Sequence, residues 1–130
     1  MKPRSEVGIL IADDEITMCD LLASILKGCG YSRIVYAVDG IKAQELLVGE
    51  GSTIQMAFLD INMPGLTGIE VMLQASIARP NCFCVIVSAH SDVSNVMSAL
   101  ELGARGFVVK PYSIKKIADV LAKYESEAQS

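Results

Sequence analysis

The feature that most constrains this chain is the rhythm of its apolar residues. Short apolar runs at 7–12, 34–37, 54–59, 82–87 and 106–109 alternate with stretches whose apolar residues recur at helical spacing. Continuous rather than alternating apolar runs mark strands covered on both faces. The helical pieces lie between and after them. Residues 15–29 place Cys19, Leu22, Leu26 and Cys29 on one face and end at Gly28 and Gly30. Residues 41–48 close at Gly49 and Gly51, and a third helix capped by Thr67 runs to about residue 78 before Pro80 stops it. Residues 91–102 bring Val93, Val96, Met97 and Leu100 to one face, and a last helix from 113 to about 127 buries Ile114, Ile117 and Leu121. Five strands alternating with five helices imply an α/β fold, a doubly wound parallel sheet with helices on both faces, because right-handed crossovers leave few other packings.

At 130 residues the chain suits one domain with its core at about 7–124, a size that buries roughly two thirds of the unfolded surface. Hydrophobic residues make up 52% of it, yet no run approaches the roughly 18 uncharged apolar residues of a membrane span. No signal-peptide pattern follows Met1, so the expected location is the cytoplasm and no membrane partner is expected. The net charge is -4 and the only adjacent basic pair is Lys115-Lys116, which argues against direct binding to nucleic acid. Cys19, Cys29, Cys82 and Cys84 lack metal or redox spacing and read as reduced; Cys82 and Cys84 alternate with Phe83 as small core residues.

In open parallel sheets, ligands bind outside the carboxyl ends of the strands, and the polar residues obey that rule. The first strand ends at Asp13-Asp14, the third at Asp60, the fourth at Ser88 and the fifth at Lys110. Three carboxylates at one edge repel unless a cation intervenes. A hard divalent ion suits them, Mg2+ or Mn2+, since Mg2+ takes a few carboxylates and shares its other positions with water and phosphate oxygens. Asp13-Asp14 alone read equally well as a helix cap followed by a first-turn acid. Asp60 tips the balance, because a strand apolar up to Leu59 has no structural reason to end in a charge aimed at two others. A carboxylate with metal help can attack phosphorus, and the transferred group then needs cations and donors at its oxygens. Lys110 supplies a cation and Ser88 a hydroxyl. Taken singly, each is equally an ordinary strand-end charge or loop hydroxyl.

With these residues in view, the chain resembles a receiver domain of the response-regulator family in two-component signalling. The matching stretches are ILIADDE, AVDGIKAQELL, FLDINMPGLTGIE, VSAHSD and LGARGFVVKPYS, and in this order they are specific where any one alone would be weak. The resemblance implies a flavodoxin-like (βα)5 fold with sheet order 2-1-3-4-5. It implies phosphorylation of Asp60 by a histidine kinase or histidine phosphotransfer protein, with Mg2+ held by Asp13, Asp14, Asp60 and the backbone carbonyl of Asn62. It also implies a switch in which Ser88 moves toward the phosphoryl group, Phe107 turns inward and the small Ala89 permits the passage. Asn62 and His90 stand where the family modulates phosphate lifetime, and His90 reads equally well as an exposed loop residue. The Lys110-Pro111 bond is expected to be cis. Ser88 replaces the frequent Thr, and Phe107 the frequent Tyr, so an outward hydrogen bond from the ring is lost and the switch is expected to rest on burial alone.

Two surfaces follow. Thr17, Met18 and Leu21 flank the active edge, where a phosphodonor helix could dock, with core packing the rival explanation for Leu21. Ser94, Asn95, Ser98 and Glu101 are expected to face outward on the fourth helix. That helix, with the fifth strand and helix, is where the family engages a downstream target or output domain, or forms a homodimer on phosphorylation. The expected role is thus a phosphoacceptor rather than an enzyme, limited to autocatalytic phosphotransfer and self-dephosphorylation. It would be a stand-alone regulator, or a receiver from a larger regulator or hybrid kinase. An aspartate-based phosphatase is the weaker alternative, since it needs an acid two positions after the nucleophile and Asn62 stands there.

Overall fold

The apolar runs become the strands of one parallel sheet in the computed structural model, which describes residues 2–89 and 93–128, with side chains at 93–96 left aside. The order is β1 (Gly8–Ala12), α1 (Ile16–Gly28), β2 (Arg33–Ala37), α2 (Gly40–Val48), β3 (Ile54–Asp60), α3 (Gly68–Ala78), β4 (Phe83–Ser88), α4 (Val93–Glu101), β5 (Gly106–Val109) and α5 (Ile114–Ala128). The sheet order is β2-β1-β3-β4-β5 and every pairing is parallel. No helix among the described residues is long and apolar enough to cross a membrane.

Successive strand residues point to opposite faces, and this splits the core in two. Ile9 and Ile11 of β1, with Phe58, Val85 and Val108, lie beneath Leu22 and Leu26 of α1 and Ile117 and Leu121 of α5. Leu10 and Ala12, with Leu59 and Ile86, lie beneath Leu47 of α2, Val71 and Met72 of α3 and Ala99 of α4. Each fully buried Leu, Ile or Phe contributes about 1.5–3 kcal/mol, so the layers on both faces hold the strand ends in fixed positions. All four cysteines are free, and Cys82 and Cys84 are buried in the second layer, as small core residues.

Two helix faces differ from expectation. Ile114 is 70% exposed, because it opens α5 at the rim of a four-residue edge strand that offers little surface to cover it. On α4, Met97 and Leu100 are exposed while Ala99 is buried. The helix packs through its small residue, which turns the larger ones toward solvent, and Ser98 and Glu101 are exposed as expected. The expectations for His90, for Ser91 as a helix start and for the side chains of Val93, Ser94, Asn95 and Val96 lie outside what is described.

Parallel strands put all their carboxyl ends on one edge. Asp13 follows β1, Asp60 ends β3, Ser88 ends β4 and Lys110 follows β5.

Candidate functional site

Asp13, Asp60 and Ser88 are the buried polar residues of the described chain, and all three lie on this edge. A buried carboxylate is costly unless paired, and the pairing is supplied by one ammonium. Lys110 Nζ lies 2.8 Å from Asp13 Oδ2 and 3.0 Å from Asp60 Oδ2, with Glu15 Oε1 farther out at 3.5 Å. The backbone fixes where that ammonium starts: the Lys110 N–H donates to the Ser88 carbonyl at 2.9 Å, and the Lys110–Pro111 peptide is cis.

The other Asp60 oxygen is held locally. Oδ1 accepts the Asn62 N–H at 3.1 Å, the Ile61 N–H donates to Val87 O at 3.0 Å, and the Gly68 N–H donates to Ile61 O at 3.2 Å. Helix α3 therefore starts against the end of β3, and its start is fixed by a capping box between Thr67 and Glu70. Gly68 is required there: a Cβ would lie 2.3 Å from the Asp60 carbonyl oxygen. The loop carrying Asn62 is tied on its far side by the Gly40 N–H donating to Pro64 O at 3.0 Å.

Burial pushes the Asp60 carboxyl pKa above its ordinary value; Lys110 and the Asn62 amide pull it down without cancelling that rise. For Lys110, burial lowers the pKa, and the Asp13 and Asp60 carboxylates outweigh it, so the ammonium stays charged above its ordinary range. A net negative edge with one cation is thus built into the fold.

The residues fit a divalent ion. Carboxylate oxygens of Asp13, Asp14 and Glu15 all lie within 4.8 Å of one another. Asp13 Oδ2 is also the buried side-chain oxygen among the described residues that no donor reaches at hydrogen-bond angles, despite its close approach to Lys110. All the donors are hard oxygens, the chemistry Mg2+ prefers. Glu15 was not foreseen as part of this group, although its position directly after Asp13-Asp14 was the available signal. Asp60 joins Asp13 through Lys110 rather than by sharing that three-residue cluster.

Ser88 is fully buried and its Oγ donates to the Ala89 carbonyl at 3.2 Å; Ala89 is exposed. Phe107 lies in register with Ile86 of β4 and is 39% exposed. That ring is not without an outward partner: Lys116 Nζ stands 6.0 Å from its centroid. On α1, Thr17 and Leu21 are exposed and Met18 half-buried, so core packing does not explain Leu21.

A family model for the response regulator receiver domain matches residues 9–122. The chain belongs to that family. It is 30% identical over 118 residues to the transcriptional regulatory protein ZraR of Klebsiella oxytoca, covering 91% of this chain and 26% of that protein. It is 29% identical over 116 residues to the sporulation initiation phosphotransferase F of Bacillus subtilis, covering 89% of this chain and 91% of that one. The solved receiver domain of NtrX from Brucella abortus superposes with a TM-score of 0.81 at 28% identity, over 92% of this chain and 99% of that one. This receiver therefore spans about a quarter of one relative and nearly all of another, and its five-stranded sheet order is that of the chemotaxis-regulator fold.

Proposed function

We propose that this receiver accepts a phosphoryl group on Asp60 from a phosphohistidine donor and relays the event through Ser88 and Phe107 to the face formed by α4, β5 and α5. The observation that carries this reading is Lys110 Nζ bridging Asp13 and Asp60 at 2.8 and 3.0 Å. It supports the reading because two carboxylates and a cation stand within one phosphoryl group's reach.

Asp13, Asp14, Asp60 and the Asn62 carbonyl, with Glu15 at the rim, would hold Mg2+. The ion supplies charge neutralisation at phosphoryl oxygens when bound. An Asp60 oxygen forms the new bond to phosphorus as the donor nitrogen–phosphorus bond breaks, and the donor ring keeps the electron pair. Lys110 exchanges carboxylate for phosphoryl oxygen, and the Ser88 hydroxyl gives up its bond to Ala89 O to donate to another. Withdrawal of that hydroxyl toward the site frees the space into which Phe107 turns. Phosphorylation thus favours one of two arrangements by differential binding, which is all a ligand can do to an equilibrium. Thr17, Met18 and Leu21 offer the donor a partly apolar docking edge. The reading is the same for a stand-alone regulator and for the receiver of a longer protein.

The test is incubation with Mg2+ and either acetyl phosphate or beryllofluoride. A metal-dependent adduct is expected, absent in Asp60→Asn; identical behaviour of the two proteins would refute the proposal.

A further inference from the structure

We infer that Lys116 is a positioning residue for the switch, holding Phe107 in its outward arrangement by seating an ammonium over the ring. The inference rests on the phosphorylation reading above, because it assigns a regulator to the same switch.

Phe107 has no hydroxyl with which to anchor itself outward, so burial alone would favour the inward arrangement: an aromatic residue 39% exposed on an edge strand gains by being covered. Something must oppose that gain for an off state to persist. The structure supplies it on the next element. Lys116 Nζ lies 6.0 Å from the Phe107 centroid, at the outer limit of a useful cation–π contact. Its place is set by the start of α5, where Ser113 acts as cap: the Lys116 N–H donates to Ser113 Oγ at 3.1 Å and the Ile117 N–H to Ser113 O at 3.1 Å. Ile117, the next residue, is fully buried and anchors the turn.

The neighbouring cations are committed elsewhere. Lys115 pairs with Asp119 at 3.3 Å, Arg105 pairs with Glu127, and Lys123 donates to the Arg105 carbonyl. Lys116 forms no ion pair among the described residues. Ring and ammonium together wall a 340 Å3 groove that also includes Leu100 and Val120. An inward turn of the ring would leave Lys116 over open groove, so the contact exists in one arrangement and not in the other.

An exposed cation–π contact of about 0.5–1 kcal/mol corresponds to about a two- to five-fold bias in an equilibrium. By linkage, removing it raises the affinity of any ligand that prefers the inward arrangement by up to the same factor, reached when the outward arrangement dominates the unliganded protein. In the full chain with Mg2+, Lys116→Met should lower the apparent Kd for beryllofluoride about two- to five-fold. Simple electrostatics predicts the opposite, since losing a cation weakens binding of an anion. Lys116→Arg should behave as wild type, and in a Phe107→Leu background Lys116→Met should bring no tightening. Unchanged or weaker binding in Lys116→Met, or tightening that persists without the ring, overturns the inference.

A second readout needs no ligand. Paramagnetic solvent relaxation of the Phe107 ring protons should fall in unliganded Lys116→Met, and an unchanged rate also overturns the inference. Failure of wild type to bind beryllofluoride through Asp60 would count against the phosphorylation reading instead, leaving the ring measurement to decide the role of Lys116.

Discussion

Replacing Gly68 by Ala tests how the proposed phosphoacceptor, Asp60, is held. The added Cβ would lie 2.3 Å from Asp60 O, 2.8 Å from Asp60 C and 3.1 Å from Leu59 O, all of them backbone atoms that cannot rotate aside. Restoring ordinary contact at about 3.4 Å requires α3 and the end of β3 to separate by about 1 Å. Overpacking of that kind costs about 1–3 kcal/mol, against a gain of about 0.4–1 kcal/mol from stiffening the unfolded chain. The net change runs from about zero to a loss of about 2.6 kcal/mol, a fall in Tm of up to about 10 °C for a domain of this size. Thermal unfolding by circular dichroism reads the fall. A displacement of about 1 Å at the reacting group should also slow phosphorylation by acetyl phosphate on the order of a hundred-fold. Gly28→Ala is the control: Gly28 is the last residue of α1, with nothing within 4 Å of its added Cβ, so the substitution should leave stability unchanged or raise it by at most about 0.5–1 kcal/mol. If Gly68→Ala melts with wild type and phosphorylates at its rate, the close approach of α3 does not position Asp60.

Lys110→Ala should retain slow phosphorylation but lose the shift of amide resonances around Phe107; a full wild-type shift would contradict the bridging role. Asp13→Ala should weaken Mg2+ binding about ten-fold or more, read by titration of any fluorescence or NMR signal that follows the metal, and equal affinity would remove Asp13 from the metal set. In metal-free protein the folded pKa of Asp60 is raised, so the native state binds the proton more tightly than the unfolded chain does. Stability of wild type relative to Asp60→Asn should therefore rise as pH falls through the folded pKa toward the unfolded value of about 3.9; parallel Tm–pH curves for the two proteins would contradict this.

The sheet and the edge were legible because strand ends are local signals: an apolar run that stops at Asp13, Asp60 or Ser88 announces both the strand and its rim. The sequence alone assigns the acids to one edge, since parallel strands leave no other arrangement. Helix faces were less legible. The exposure of Ile114, Met97 and Leu100 depends on how each helix lies over a short edge strand, and periodicity within the helix carries no information about that angle. Glu15 was hidden by proximity, being an ordinary first-turn acid in sequence and a third carboxylate in space. Lys116 was hidden by distance: nothing local to Phe107 says that a cation nine residues on will come back over its ring.

Asp13, Asp60, Ser88 and Lys110 stand at the ends of four different strands, so a form that loses any one of those strands loses one of the four groups. The proposed phosphoacceptance is then a property of the cooperative whole. A partly unfolded form that kept three strands would keep much of its helical signal and lack at least one of the four groups, so the loss of Asp60 labelling along a denaturant titration should track, or precede, the loss of circular dichroism. On the proposed reading the domain would signal only while intact, and a damaged copy would be silent rather than stuck in the active state.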